Sequence, residues 1–469
     1  GTKNNPTSTK ATLRIHLRVG LTSKVFHLPG CRQNMRESGV LCHITSLPSG
    51  KLGPDAFTFV DLISDSGINI WQVLPITPPD EHGSPYASTS AFAGWVKLCD
   101  PTFEEEPNSE LIQTWLQVNA HWAWDWALYD VLKEMNDERP WYEWDEPLRN
   151  RHPEAIDRIL QEQMPRVRGR IVNQVRFSRD WAILRHYAAQ KGVKLFGDLP
   201  IFVARDSADV WVRPQLFKTD VVAGVPPDYF SEDGQRWGTM LYNWDAHRHD
   251  DFTWWKMRMA RICSMFDIIR IDHFRGFESA WAIPCEEKTA RNGSWEDGPG
   301  EEILQVLVDV AGDTIVVAED LGIIPKSVID LRQKHNIPGM SVLQFGFDDE
   351  NDDNPHNPQN ITSDTITYTG THDNDTTAGW WETSSEERKT RVDQLGLAGE
   401  SACDTLIRLA MKSPSPIAII PLQDIIGLGS NARMNRPGQT NGNWNWQFSW
   451  PELSAGKWDS LARSTENTD

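Results

Sequence analysis

The sequence predicts an α/β fold: a (β/α)8 TIM barrel with a mostly helical insertion and long loops at its catalytic face. Three observations predict it. Eight short apolar runs recur along the 469 residues, an amphipathic segment follows the first run, and three of the runs end in a carboxylate. Strands of a parallel barrel are buried on both faces, so they form near-continuous apolar runs, and their C-terminal ends carry catalytic groups.

The eight predicted strands can be read in order along the chain. They span residues 40–44, 69–75, 193–200, 266–272, 314–319, 341–347, 365–373 and 417–424. After the first strand, Phe59, Leu62 and Ile63 share one face of a helix that begins at Pro54 and ends at Gly67. This segment and the strand before it form one βα unit.

The gap between the second and third predicted strands is too long for a single crossover. It contains the amphipathic run 124–135 and a second run in which Phe177, Trp181 and Leu184 recur at helical spacing. We therefore expect residues 76–192 to form a mostly helical insertion subdomain at the catalytic rim, where insertions shape substrate grooves.

The gap between the third and fourth strands, residues 201–265, is also long. It is rich in turn-forming residues and aromatic rings, notably at 224–230 and 234–238. We interpret it as a substrate-loop insertion that closes over the site as a lid. An ordinary ordered loop with buried aromatic side chains is the alternative.

Residues 1–37 form a basic N-terminal extension to the catalytic barrel of residues 38–469. Seven Lys or Arg residues precede the first acidic residue, Glu37, among Ser, Thr and Asn. This composition resembles an organelle transit segment, and a disordered basic tail is the alternative. We expect a cytoplasmic location, with the plastid stroma as the alternative.

The composition of the chain argues against several classes of binding partner. With 46 Lys and Arg against 66 Asp and Glu, the formal net charge is -20, which repels nucleic acid and anionic lipid surfaces. No apolar run reaches the roughly 18 residues that a membrane span needs. The six Cys residues are widely spaced and form no zinc-binding pattern. We expect no nucleic-acid or membrane partner, no cofactor and no metal site.

Three acids follow apolar runs: Asp272, Glu319 and Asp373. Cleaving a glycosidic bond with retention needs one ionised carboxylate to attack the anomeric carbon and one protonated carboxyl to protonate the leaving oxygen. Arg270 lies two residues before Asp272 and on the same strand face, so we expect it to lower the pKa of Asp272 and make this residue the nucleophile.

Glu319 follows the apolar run 315–318 and has no basic neighbour in the sequence, so burial should raise its pKa and suit it to acid/base catalysis. Asp373, beside His372, should bind sugar hydroxyls near the reacting ring and stabilise the transition state. One acid at a strand end is more often structural, but three on one barrel indicate glycosyl chemistry.

Residues 38–448 resemble the 4-alpha-glucanotransferases of the amylomaltase or disproportionating-enzyme type, glycoside hydrolase family 77 in the α-amylase clan. The resemblance rests on many ordered motifs. They include Trp71-Gln-Val-Leu-Pro75, Ser84-Pro-Tyr86, Gly197-Asp-Leu-Pro-Ile201, Gly224-Val-Pro-Pro-Asp228, Gly234-Gln-Arg-Trp-Gly238, Arg270-Ile-Asp-His-Phe-Arg-Gly276, Ala318-Glu-Asp-Leu-Gly322, Gly370-Thr-His-Asp-Asn-Asp375 and Pro421-Leu-Gln-Asp424.

The resemblance implies transfer of α-1,4-glucan segments between maltooligosaccharides, with glucose as an acceptor, by a double displacement that needs no cofactor. It implies the same roles for the three acids, with Arg270 and His372 in contact with them. It further implies that Tyr86 stacks near the donor site and Asp198 supports the pocket. The residues implied in a flexible loop over the acceptor are Asp228, Phe230, Gln235 and Trp237.

Other functions remain open from the sequence. An α-amylase-like retaining hydrolase would use the same acids, a metal-dependent barrel hydrolase would use His273 and His372, and a glucan-binding protein would use none of them catalytically. Trp95, Phe202 and Ala280 depart from residues common in the family. These positions are peripheral to the acids, so they bear on chain-length preference and acceptor affinity.

Overall fold

The computed structural model describes residues 36–102, 106–227, 231–348, 353–453 and 458. In chain order its strands are β1 (Glu37–Leu41), β2 (Ile70–Gln72), β3 (Lys194–Pro200), β4 (Val203–Ala204), β5 (Phe217–Val225), β6 (Gln235–Tyr242), β7 (Ile268–Asp272), β8 (Ser279–Pro284), β9 (Ser294–Asp297), β10 (Ile315–Ala318), β11 (Gly339–Val342), β12 (Thr365–Tyr368) and β13 (Ile417–Pro421).

The α-helices are named in the same way. They are α1 (Pro54–Asp65), α2 (Ser109–Met135), α3 (Glu146–Arg149), α4 (Pro153–Gln190), α5 (Ala208–Val212), α6 (Trp244–His249), α7 (Thr253–Cys263), α8 (Glu301–Ala311), α9 (Lys326–Lys334), α10 (Thr377–Thr383), α11 (Glu386–Leu395), α12 (Ala402–Lys412) and α13 (Leu422–Ile426).

Eight strands form the predicted parallel barrel, in the order β10-β7-β3-β2-β1-β13-β12-β11. The two ends of this sheet approach each other, and the Ala318 backbone N–H donates to the Pro338 carbonyl oxygen at 2.8 Å. The barrel is therefore nearly closed. Each predicted strand segment overlaps one of these strands, so the predicted fold class is confirmed.

Several predicted strands extend too far, and two of them continue into helices. The segment 341–347 contains only the end of β11 and continues as a 3-10 helix (Leu343–Phe347), and the segment 417–424 runs from β13 into α13. In both places the residues after the strand are mostly buried and apolar. A continuous apolar run does not distinguish a buried strand from a short buried helix, which explains the misplaced ends.

Side chains that alternate along the barrel strands enter two different cores. Leu41, Ile70, Phe196, Ile268 and Val317 belong to a cluster to which all eight barrel strands contribute, as expected for the barrel interior. Their strand neighbours join the larger core that the helices cover. Burial on both faces is the physical reason for the near-continuous apolar runs.

The residues between β2 and β3 contain α2, α3 and α4. Gln174, on α4, is fully buried. Its side-chain oxygen accepts from the Gly94 N–H at 2.8 Å, and its amide donates to the Gly94 carbonyl oxygen at 2.8 Å. This pair of hydrogen bonds attaches the chain leaving the barrel rim to the long helix.

A second, antiparallel sheet was not predicted. Its order is β4-β6-β5-β8-β9, so strands within residues 201–265 pair with strands that follow β7. That segment also contains α5, α6 and α7, and it is more regular than the predicted substrate loop. The strands of this sheet lack a clean alternation of polar and apolar residues. In β5, polar and apolar residues are mixed, and the pairing of β5 with β6 contains two register shifts.

Residues 1–35 lie outside the described part of the chain, and with them nearly all of the predicted N-terminal extension. None of the described helices combines the length and the apolar character that crossing a membrane would require.

Candidate active site

The three predicted acids lie at one end of the barrel. Asp272 is the last residue of β7, and Glu319 immediately follows the neighbouring strand β10. Ile271 pairs with Ala318 in the register of these two strands, and the Glu319 N–H donates to the Ile271 carbonyl oxygen at 2.9 Å. Asp272 and Glu319 therefore emerge side by side, and Asp373 follows β12 at the same end.

Arg270 links Asp272 to a second carboxylate. The Arg270 side chain is buried, and its Nη1 atom lies 2.9 and 2.8 Å from the two carboxylate oxygens of Asp198. Its Nη2 atom lies 2.9 Å from Oδ1 of Asp272. Asp198 and Arg270 are register partners on β3 and β7, so sheet pairing brings these charges together. The Tyr86 hydroxyl donates to Asp198 at 2.6 Å.

The Glu319 carboxylate is oriented by backbone donors. Its Oε2 atom accepts from the His273 N–H at 2.6 Å, and its Oε1 atom accepts from the Leu321 N–H at 3.0 Å. His273 has a left-handed backbone with φ of 49°, a conformation that non-glycine residues rarely adopt. Burial raises the pKa of Glu319, while Arg270 and the two backbone N–H groups oppose the rise.

The pKa of Asp272 differs from the sequence expectation. Its pKa is raised to about 8, because burial and the charges of Asp198, Glu319 and Asp373 raise it more than Arg270 lowers it. The direction of the Arg270 effect was predicted correctly, but the expected net lowering was wrong. The guanidinium is shared with Asp198, and the site gathers several acids around one cation, so burial and repulsion outweigh the ion pair.

Asp373 is held by residues from a distant segment. Its Oδ1 atom accepts from the Asn435 side-chain amide at 2.6 Å and lies 3.2 Å from Nε2 of His372. Arg433 donates to the Asp373 backbone carbonyl at 2.8 Å. Sequence reasoning missed Asn435 and Arg433. Both lie in the irregular chain after α13, where only their polar side chains could have identified them as candidate site residues.

Aromatic rings flank the acids. Tyr86 stacks on His372 with ring centroids 5.0 Å apart and an interplanar angle of 10°. Trp444 lies next to both rings, at 5.9 Å from Tyr86 and 6.0 Å from His372, and was also missed. The only sequence signal for Trp444 was its place among the Asn and Trp residues of 441–446.

Near Glu319, Trp237 extends from the second sheet and contacts His273, whose backbone N–H binds Glu319. The Trp237 ring meets the His273 ring edge-on at 4.8 Å, and its Nε1–H donates to the Gln235 side-chain oxygen at 3.1 Å. Trp237 is 38% exposed. The other two residues predicted for this loop, Asp228 and Phe230, lie outside the described residues.

The arrangement matches the needs of glycosyl chemistry, and comparison with known proteins agrees. The family model described as 4-alpha-glucanotransferase, glycoside hydrolase 77, matches residues 42–106 and 96–453. This chain belongs to that family. The predicted resemblance is confirmed, and the enzyme is a glycosyltransferase that acts on α-1,4-glucans.

Similar members of the family come from bacteria and plants. The 4-alpha-glucanotransferase of Aquifex aeolicus is 38% identical over 466 residues, covering 88% of this chain and 96% of the relative. The chloroplastic/amyloplastic enzyme of Arabidopsis thaliana is 39% identical, covering 89% and 82%. The structure of the amylomaltase from Streptococcus agalactiae in complex with acarbose superposes with a TM-score of 0.88 at 33% identity, covering 92% of this chain and 98% of that one.

A pocket opens beside His372 in this family member. Its walls come from the C-terminal ends of β1, β12 and β13 and from the irregular chain that holds Asp373, and they include His43, Asp375 and Arg433. Among the described residues, no group of three or more His, Cys, Asp or Glu side chains is placed to hold a metal ion.

Proposed function

We propose that this 4-alpha-glucanotransferase works by a retaining double displacement in which Asp272 is the nucleophile, Glu319 the acid/base and Asp373 the transition-state stabiliser. The observation that supports these roles is the pairing of β7 with β10, which brings Asp272 and Glu319 side by side. Of these two acids, only Asp272 contacts the Arg270 guanidinium. Two carboxyls on neighbouring strand ends can then act on one acetal carbon.

The contact with Arg270 supports one assignment of the ionised and the protonated carboxyl in this pair. Two neighbouring carboxyls with raised pKa values share one proton more readily than they both ionise. We place the negative charge on Asp272 because the guanidinium lies 2.9 Å from this residue, and we place the shared proton on Glu319. This distribution is the one that the first chemical step needs.

In the first step, an oxygen of Asp272 attacks the anomeric carbon while Glu319 gives its proton to the glycosidic oxygen. The C–O bond to the departing sugar breaks, and a covalent β-linked glycosyl-enzyme forms. In the second step, Glu319 takes the proton of an incoming 4-hydroxyl, whose oxygen displaces Asp272. Two inversions restore the α configuration.

Asp373 and His372 lie where they can bind hydroxyls of the sugar at the reaction centre. Burial lowers the pKa of His372, so this ring is neutral at neutral pH. A neutral ring against a half-exposed carboxylate offers both a donor and an acceptor to sugar hydroxyls. Hydrogen bonds of this kind strengthen as positive charge develops on the ring.

We further propose that the acceptor side favours sugars over water. Gln235 and Trp237 extend from the second sheet towards His273, next to the acid/base. Together with Asp228 and Phe230 they would cover the acceptor site, and transfer prevails when an acceptor sugar fills that site and excludes water. Tyr86, supported by Asp198, would stack on the donor sugar.

We infer that maltooligosaccharides are donors and that glucose is an acceptor. The amylomaltase that superposes on this chain was determined with acarbose, an oligosaccharide analogue, which supports oligosaccharide binding here. The deciding experiment is incubation with maltotriose, followed by chromatography and an assay of total reducing ends. Disproportionation yields glucose and longer maltodextrins with constant reducing ends. A steady increase in reducing ends would instead identify the α-amylase-like hydrolase.

We propose a cytoplasmic location, with the plastid stroma as the alternative. The basic, acid-free composition of residues 1–36 and the chloroplastic/amyloplastic relatives support the alternative. A fusion of residues 1–40 to a fluorescent protein, expressed in plant or algal cells, distinguishes them. Plastid import favours the stroma, and diffuse fluorescence favours the cytoplasm.

A further inference from the structure

Next to the loops that carry the catalytic acids, the partly buried Arg275 contacts the Trp295 ring and the backbone of Ile323. We call Arg275, Trp295 and Ile323 the outer platform. Trp295 is 42% exposed and Ile323 is 82% exposed. Large apolar side chains with this exposure gain little from packing, and a group of them on one surface is typical of a binding site.

The outer platform is ordered by specific contacts. The Arg275 guanidinium lies 3.9 Å from the centroid of the Trp295 ring, and its Nη1 donates to the Ile323 carbonyl oxygen at 2.8 Å. Trp281, the register partner of Trp295 on β8, meets the Trp295 ring edge-on at 5.3 Å. An indole fixed in this way presents a rigid apolar surface at little cost in conformational entropy.

The same residues connect the outer platform to the reaction centre. Arg275 lies three residues after Asp272, and Ile323 lies four residues after Glu319. Four residues span at most roughly 14 Å, so Ile323 lies close to the acid/base. The acid/base acts on the oxygen of the leaving or incoming sugar, so the platform lies on the acceptor side of the site.

We propose that the outer platform is a distal binding site for the acceptor-side part of a long α-1,4-glucan. The apolar face of a glucose ring would stack on Trp295, Ile323 would extend that apolar contact, and Arg275 would hold the indole in place. Short sugars that occupy only the positions next to Glu319 would not reach it. This inference rests on the proposed role of Glu319.

The test compares acceptors of two lengths at a fixed maltotriose concentration. Trp295→Ala is expected to raise the KM for a long maltodextrin acceptor roughly three- to ten-fold, the range of a lost aromatic contact. The KM for glucose as acceptor and the kcat with either acceptor should stay unchanged. Trp124→Ala is the matched control, because Trp124 is 37% exposed and lies on α2, in the helical segment between β2 and β3.

Ile323→Asn provides a second variant that keeps the fold, because Ile323 is almost fully exposed; it should raise the same KM by a smaller factor. The proposal is overturned if Trp295→Ala and Ile323→Asn have the same KM as the wild type for both the long maltodextrin and glucose. It is also overturned if they lower kcat equally with both, which would indicate a loop-positioning role. Failure of the proposed function would look different: the wild type would not disproportionate maltotriose.

Discussion

At the scale of single residues, one contact distinguishes the two central acids. Both Asp272 and Glu319 have a raised pKa because of burial. Asp272 contacts the Arg270 guanidinium, whereas Glu319 accepts two backbone hydrogen bonds. A full positive charge stabilises a carboxylate more than neutral donors do. This difference leads to two predictions about the roles of the acids.

Asp272→Asn and Glu319→Gln are each expected to lower kcat for maltotriose disproportionation by roughly 10³-fold or more, because neither amide can replace a carboxyl in its step. Maltooligosaccharide binding, measured by calorimetry, should survive. A glycosyl fluoride donor separates the roles, since fluoride departs with less protonation. Glu319→Gln should form the glycosyl-enzyme from this donor, and Asp272→Asn should not. Normal maltotriose turnover in either variant contradicts its assigned role.

Arg270→Ala is expected to move the acid limb of the pH profile of kcat/KM to higher pH. Arg270 lowers the pKa of Asp272, so its removal raises that pKa, and the ionised nucleophile then persists only at higher pH. Arg270→Lys keeps the positive charge and should show a smaller shift. A variant whose activity falls while its profile keeps the wild-type shape would show that Arg270 does not control this ionisation.

At the scale of elements, the second sheet places side chains beside the proposed acceptor site. β6 places Trp237 against His273, whose backbone N–H binds Glu319. Phe202, one of the positions that depart from the family pattern, has its ring 6.4 Å from that of Trp237 and 6.1 Å from that of His273. The departure therefore lies beside the proposed acceptor region, and we expect it to affect acceptor affinity.

Trp237→Ala is expected to increase the ratio of hydrolysis to transfer several-fold, because water would compete better for the glycosyl-enzyme. The measurement combines the rate of reducing-end release with the rate of glucose formation from maltotriose. Trp124→Ala serves again as the control for loss of a partly exposed Trp on α2. If both variants keep the wild-type ratio, Trp237 does not exclude water.

At the scale of the whole molecule, the fold buries histidines in neutral form. Burial lowers the pKa of His43 to about 3 and of His247, His273 and His356 to about 4, from an ordinary value of 6.5. Each buried His contributes stability that is fully present above pH 6.5 and is lost as the pH falls towards its pKa in the folded protein. In this pH range the unfolded chain binds a proton at the His, whereas the folded chain does not.

His247, which is fully buried among aromatic rings, gives the clearest test. Between pH 6.5 and 4.5 the free energy of unfolding of the wild type should fall with pH more steeply than that of His247→Phe, by about 1 kcal/mol per pH unit. Urea unfolding curves at several pH values measure both slopes. Parallel slopes would mean that this ring is protonated in the folded protein.

Local sequence patterns were sufficient to predict the barrel and the positions of the three acids. Buried strands leave apolar runs, and a carboxylate at the end of a run is visible without coordinates, so the barrel and the positions of Asp272, Glu319 and Asp373 were predictable. The second sheet was not predictable, because its strands mix polar and apolar residues and pair across long separations. Pairing partners depend on the whole chain rather than on neighbours.

The sequence by itself therefore determined the fold class, the family and the three acids that follow the barrel strands, Asp272, Glu319 and Asp373. Only the tertiary structure decided that Arg270 is shared with Asp198, that Asn435 holds Asp373, and that the pKa of Asp272 rises rather than falls. Burial and electrostatics depend on distances in three dimensions. Residues far apart in the chain set those distances, and no local pattern encodes them.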